Sequence, residues 1–407
     1  MNVFIAGINF TPGRICVILL FFPAFFTLCQ RGRRALLCDL FAFATAAWMI
    51  VAAVRTGGWG SLASAAGAES LEFLGAYLIA RGFSFEPPAL DTFIRVIKVL
   101  AITSIILAVA DAIAGRWIVQ DVIAAIFNAA SPGPLYRENM VRATSTFDHP
   151  ILFGVFCSMV APICLYSELN ALRRILFVGL CFLGCILSLS SAALMSFSIA
   201  VAVYTYDRLM KKYPWRWRVL CTGLAALLLA VFLVSNHPIG WLITNLTLDP
   251  HSGYFRILIW DAALVRIAQF PLTGFGFNSF NHVILDTTID SVWLVCSLRY
   301  GIPMIVFLIL TNVATFWPTP QRSKNLAGDS YMDKLSRAFT IVLVLFMFTG
   351  LTVHFWNYMW IFWGLCIGIR ASLRERSIEV AKKNNSTKGN RGSFHLPGHA
   401  NEARRHG

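Results

Sequence analysis

Charge is scarce in this chain. Of its 407 residues, 13% are Asp, Glu, Lys or Arg and 57% are hydrophobic, about half the charged share of an ordinary soluble domain. A water-soluble globule of this length is therefore excluded. Familiar catalytic signatures are missing too: there is no P-loop, no GxSxG elbow and no HExxH, so nothing points to a nucleotide engine, an α/β-hydrolase or a zincin. Cysteines are not deployed as ligands. All ten lie in or at the ends of apolar runs. Cys181 and Cys185 share a helix face, but as small buried residues. No disulfide, metal or other cofactor is expected. The basic stretch that opens a cleavable signal peptide is absent. Residues 1–13 read as a loop entering the first apolar run. No internal repeat is evident.

What the sequence has instead is long apolar runs, each of about 15–25 residues, the length that crosses roughly 30 Å of hydrocarbon as a helix. Eleven spans are expected, near 15–29, 36–54, 61–80, 93–114, 150–167, 175–190, 192–206, 219–235, 291–316, 338–352 and 355–370. The 192–206 span is the weakest, because the stretch Leu187 to Ser191 could also be a break inside one longer helix. The fold class is an all-α polytopic membrane domain over 1–370, followed by a basic, disordered tail over 371–407 whose composition cannot bury a core.

The net charge is +14. Alternating spans with a cytoplasmic C-terminus leave eight cations outside: Arg14, Arg55, Arg116, Arg137, Arg142, Arg256, Arg266 and Arg299. The other 26 of 34 fall inside, as the positive-inside rule requires. The localisation expected is the bacterial inner membrane. Topology and membrane lipids account for the charge, and no nucleic-acid partner is needed. No cytoplasmic loop is long enough to hold a nucleotide sugar, so a glycosyl donor would be lipid-linked and used on the outer face.

Two outer segments are long, 115–149 and 236–290. In the second, Ser252 is expected to cap a helix from about Tyr254 to Phe270, stopped by Pro271. Ile257, Trp260, Leu264 and Ile267 would form its apolar face. Arg256 and Arg266 lie about 80° apart in helical projection and can face one cavity. On so cation-poor a face, each arginine is informative. Arg142, Arg256 and Arg299 stand beside spans, and guanidinium suits bidentate phosphate binding. A lipid-linked diphosphate is the ligand this suggests, against pairing with nearby carboxylates or lipid headgroups. Acid–base candidates are Asp148, His149, His237, His251, His282, Asp286, Asp290 and His354. His149 before Pro150 can also be a helix-entry residue. Asp290 can also serve only the dipole of the helix it precedes.

Four segments carry a resemblance: RATSTFDHPILFG (Arg142 to Gly154), RILIW (Arg256 to Trp260), PLTGFGFNSF (Pro271 to Phe280) and DSVWLVCSLRYGIP (Asp290 to Pro303). In order and spacing they resemble the O-antigen ligase and polymerase family, closest to its exopolysaccharide polymerisation branch. The resemblance covers roughly 15–370. It implies a membrane glycosyltransferase of the GT-C type acting on glycan carried by undecaprenyl diphosphate. The family's diphosphate-binding arginines would map onto Arg142 and Arg256. Arg299, His149, His282 and Arg266, read from this chain's own residues, are expected to line the substrate. Many ligases carry a His-Asn pair where the last outer loop enters its span. Asp290-Ser291 stands there, which favours a polymerase, or a reaction in which Asp290 or another group replaces the histidine; Asp290 is the best base, with His149 or His282 as alternates. The implied partners are the lipid-linked oligosaccharide, a chain-length regulator and export proteins. The rival readings are a ligase, a flippase for lipid-linked saccharide and a non-enzymatic scaffold.

Overall fold

The computed structural model describes residues 3–5, 8–30, 33–61, 65–234, 240, 250–317 and 330–392. The described residues are nearly all helical. Fifteen helices run α1 (Pro12–Gln30), α2 (Leu37–Ser61), α3 (Gly67–Phe83), α4 (Pro87–Ala114), α5 (Ile118–Ile126), α6 (Pro150–Ser167), α7 (Ala171–Leu187), α8 (Ser191–Leu209), α9 (Arg216–Val234), α10 (Pro250–Gln269), α11 (Val283–Thr287), α12 (Val292–Tyr300), α13 (Ile302–Phe316), α14 (Tyr331–Thr349) and α15 (Tyr358–Gly392). Five of them, α1, α2, α4, α6 and α9, are long and apolar enough to cross a membrane. That is the pattern of a helical membrane protein.

Burial separates their roles. α6 is buried along almost its whole length, between α4, α7, α8 and α14. α9 is equally apolar and has no buried residue. A helix apolar all round and exposed all round is a lipid-facing helix. α3 and α15 meet closely because Gly364 and Gly368 sit one turn apart on α15. A Cβ at Gly364 would lie 2.6 Å from the Phe73 carbonyl oxygen. This small-xxx-small spacing lets helix backbones approach where no hydrophobic effect drives them together.

The two ends of the bundle differ. One end gathers the loops 115–149, 188–190, 270–291 and 350–357. The other holds buried ion pairs. There Glu375 accepts from Arg33 and Arg81, each at 2.6 Å, and Arg81 also reaches Asp39 at 2.8 Å. Asp207 likewise receives Arg216 at 2.8 Å and Arg337 at 2.9 Å. Cutting one partner from such a pair costs about 3–5 kcal/mol.

Several expected boundaries move. The run 291–316 is two helices, broken at Gly301 (φ +79°), with Pro303 just beyond. The carbonyls released at the end of α12 are all taken. Leu298 O accepts from Phe275 N at 2.7 Å, Arg299 O from Gly276 N at 3.0 Å and Tyr300 O from Trp48 Nε1 at 2.9 Å. Irregular backbone inside a bundle is tolerable when its polar groups are satisfied in this way. α15 runs through the boundary expected at 370, and Ser372, Arg374 and Glu375 are buried because Glu375 anchors the end of the bundle. Near the N-terminus, the expected loop contains a hairpin of β1 (Val3–Ile5) and β2 (Ile8–Phe10). Ser252 lies inside α10 rather than before it. The buried face of α10 is Ile259, Ala263 and Ile267, against Leu294 and Leu298 of α12, whereas Leu264 is exposed. The break between α7 and α8 is real, with Leu189 at φ +47°.

Candidate functional site

The site starts with a buried carboxylate. Asp111, near the end of α4, is fully enclosed. Its oxygens accept from the backbone N–H of Ile118 at 2.9 Å, Thr144 at 3.3 Å and Ser145 at 2.9 Å. A carboxylate with three N–H donors is a strong anchor. It fixes the segment 142–149 over the bundle, including Ser145 at φ +56°. Just before this segment, β3 (Tyr136–Arg137) pairs antiparallel with β4 (Met140–Val141). The turn between them has positive φ at both Glu138 and Asn139, the mirror-image turn geometry that suits strand twist. Arg142 N extends the ladder to Leu135 O at 2.8 Å. Arg142 lies opposite Leu135, two residues before Arg137 on one strand face, so Arg137 and Arg142 emerge on the same side.

Both guanidinium groups then reach the turn between α7 and α8. Arg142 Nε donates to Ser188 O at 3.1 Å, and Arg137 donates to Leu189 O at 2.9 Å. A helix C-terminus offers free carbonyls and a negative dipole end, which favours cations. α8 begins in the same wall with Ser190, Ser191 and Ala192, and a helix N-terminus favours an anion. From the far side comes Arg256 of α10, with Nε 3.6 Å from Asp290 Oδ2. Asp290 also accepts from Thr288 Oγ1 at 3.3 Å. It stands one residue before Ser291, the N-cap of α12, and so lies outside that helix.

Arg137, Arg142, Arg256 and Asp290 together line a cavity of about 300 Å³. Burial and the neighbouring positive charge of Arg137 lower the Arg142 pKa to about 10. Arg142 remains protonated at neutral pH, but its charge is under pressure and an anion would relieve it.

No family model matches the chain, and no curated protein matches it.

A second cavity, of about 340 Å³, adjoins the first and shares Ile151, Asp290 and Val353 with it. His149, Thr288, Thr352, His354 and Trp356 complete its polar and aromatic lining. His149 is indeed a helix-entry residue, since Nδ1 caps α6 by accepting from Ile151 N at 3.2 Å. A neutral ring that accepts at Nδ1 carries its proton on Nε2. Burial, with the Arg142 charge second, lowers the His149 pKa to about 4. Burial and the Arg299 charge lower that of His354 to about 3. Both rings pack on Trp356, with centroids 5.9 and 5.4 Å away.

A third space is apolar. A groove of about 470 Å³ runs between α1, α3, α4 and α15, and Thr146 and Phe147 from the Arg142 segment form part of its wall.

Other expected site residues go elsewhere. Arg299 pairs with Glu69 at 2.9 Å and lies 4.9 Å from the Phe277 ring centroid, and Tyr300 Oη donates to the same carboxylate at 2.8 Å. It ties α12 to α3 and lines neither cavity, so its expected direct contact with substrate does not follow from its position. Arg266 turns to Asn281 O at 2.7 Å and Gln269 at 3.1 Å and does not share the Arg256 cavity. The angular estimate allowed a common cavity, but the 270–282 segment offered Arg266 closer acceptors. His282 N caps into Asp286, which also receives Phe280 N and Ser279. Those bonds lower the Asp286 pKa, the Phe280 N–H first, and both residues serve local structure. Asp148 accepts from Asn357 at 2.8 Å. His237 and the His251 side chain lie outside the described residues.

Sequence reasoning missed Arg137, Asp111, Glu69 and Trp356. Arg137 had a readable signal in its spacing from Arg142 across a four-residue turn. Asp111 had one too, because a carboxylate near the end of an apolar span needs a partner.

Proposed function

We propose that the chain is a multi-pass membrane glycosyltransferase that polymerises oligosaccharide repeats carried on undecaprenyl diphosphate. The observation that carries this reading is the convergence of Arg137, Arg142 and Arg256 with Asp290 in one cavity at the loop-rich end. Three guanidinium groups converging in one cavity suit the two negative charges of a diphosphate diester. The apolar groove walled in part by Thr146 and Phe147, just after Arg142 in the chain, would take the isoprenoid chain.

In this reading the bundle has eleven spans, with the broken pair α12–α13 counted as one, and is of the GT-C type. The loop-rich end faces the periplasm. The buried Glu375 and Asp207 ion pairs and the C-terminal part of α15 lie on the cytoplasmic side of a bacterial inner membrane, which accords with the positive-inside rule. A chain-length regulator and export proteins are the expected partners.

The chemistry is a displacement at the anomeric carbon. A hydroxyl oxygen of the acceptor sugar forms the new C–O bond while the bond to the diphosphate oxygen breaks. Asp290, beside Arg256 and lining both cavities, takes the hydroxyl proton. The arginines hold the charge that develops on the departing diphosphate. His149 and His354, held neutral, serve as hydrogen-bonding groups rather than as the base.

A flippase would use a broken helix to hold its substrate. The break at Gly301 has its carbonyls occupied by the 275–276 backbone and Trp48, which disfavours that use. The deciding experiment is the Arg256→Ala variant in the producing cell. Loss of polymer at normal protein level supports the mechanism, and normal polymer removes it. Lipid-linked intermediates in a deletion strain separate the enzyme classes: accumulated single repeats mean polymerase, finished chains mean ligase.

A further inference from the structure

The second cavity differs from the first in its charge, and that difference bears on what it can bind. Its lining contains hydroxyls from Thr288 and Thr352, two imidazoles, the Trp356 indole and the Asp290 carboxylate. Both imidazoles are uncharged above about pH 5, given where burial puts them. The carboxylate is therefore the single charge in the lining at neutral pH. Arg137, Arg142 and Arg256 line the other cavity, and Arg299 is bound to Glu69.

We propose that this cavity is the acceptor subsite and that it selects an uncharged sugar over an acidic one. The inference rests on reading the adjoining arginine cavity as the donor diphosphate site. Three features support it. Asp290 lies on both cavities, so a hydroxyl in the second can reach the base that faces the first. Trp356 offers an aromatic surface for the C–H face of a pyranose, and the Thr288 and Thr352 hydroxyls with the His149 Nε2–H offer hydrogen bonds for its hydroxyls. A uronic acid or phosphorylated sugar would place a second anion beside Asp290, with no cation in this cavity's own lining to pair with it. Specificity here comes from repulsion as much as attraction.

The test uses the full chain in lipid nanodiscs. Saturation-transfer NMR reads binding of gluco-, galacto- and manno-configured neutral disaccharides and of their uronic acid counterparts. Farnesyl diphosphate binding is measured in parallel. The expected result is that at least one neutral disaccharide binds, that its uronic counterpart binds at least tenfold more weakly, and that Trp356→Ala lowers the neutral affinity at least tenfold. Trp356→Phe should retain most of it. Retained farnesyl diphosphate binding in Trp356→Ala shows that the variant is folded. If Trp356→Ala loses both ligands, the neutral-to-acidic ratio in the unmodified chain and the Trp356→Phe result decide. Equal or tighter binding of the acidic sugars, neutral binding that survives Trp356→Ala, or no neutral sugar bound at all would each overturn the proposal. Failure of the sugar arm with farnesyl diphosphate binding intact overturns only the acceptor assignment. Failure of both arms removes the donor reading beneath it.

Discussion

Replacing Asp111 by alanine would strip one acceptor group from three backbone N–H donors at once. The carboxylate is fully buried and holds Ile118, Thr144 and Ser145 at 2.9, 3.3 and 2.9 Å. Each buried donor left without a partner costs about 1–3 kcal/mol, so the ceiling is about 9 kcal/mol. The loop lies at one end of the bundle and can open to water, which caps the loss well below that. A cost of about 3 kcal/mol is the reasonable expectation, equivalent to about a hundredfold change in the closed-to-open ratio of the loop. Hydrogen exchange at the Thr144 and Ser145 amides in the detergent-solubilised protein reads this directly. Their protection should fall about a hundredfold in Asp111→Ala and by less in Asp111→Asn, which keeps one acceptor oxygen. Affinity for farnesyl diphosphate should fall with it, because Arg142 rides on the same segment. Unchanged protection in Asp111→Ala, or a hundredfold loss with full ligand affinity, would refute the claim that this carboxylate positions the arginine.

Other perturbations probe separate parts of the account. Gly301→Ala places a Cβ against the Leu272 carbonyl at a positive φ; it should lower the melting temperature by several degrees, and a wild-type value would contradict the interlock of α12 with the 271–276 segment. Glu375→Gln leaves Arg33 and Arg81 facing a neutral group inside the bundle and should cost about 3 kcal/mol in thermal or chemical unfolding; a loss under about 0.5 kcal/mol would mean that the cluster opens to water. The histidines fix a pH dependence. Their folded pKa values, about 4 and about 3, lie below the unfolded value near 6.5, so the unfolded chain binds protons more readily across that window. Stability should hold above pH 6.5 and fall as pH drops toward 4. His354→Phe should blunt the fall, and an unchanged slope in that variant would assign the acid sensitivity elsewhere.

The positions of the long helices were legible because a bilayer-length apolar run leaves a helix little alternative, and all eleven expected segments contain helix. The meeting of Arg142, Arg256 and Asp290 was also legible: they lie far apart in sequence, yet the alternation of spans puts all three at one end. Finer features were not. Arg137 joins the cavity through a turn with positive φ at Glu138 and Asn139, and neither residue is the glycine that would have announced it. Arg299 stood in a motif like the others, but its partner Glu69 lies 230 residues away on α3. Gly301 looked like one small residue inside a continuous apolar run. Only the carbonyls that the 271–276 segment collects show it to be a break.

The central claim is that guanidinium groups from the 136–142 hairpin and from α10 grip one diphosphate. Calorimetric titration of the full chain in nanodiscs with farnesyl diphosphate tests it, using the unmodified protein, Arg142→Ala, Arg256→Ala and the double variant. Each single change should weaken binding at least tenfold. The double change should lose less than the two combined, because residues sharing one ligand are coupled. Affinity unaffected by either substitution, in protein that still melts normally, would contradict the account.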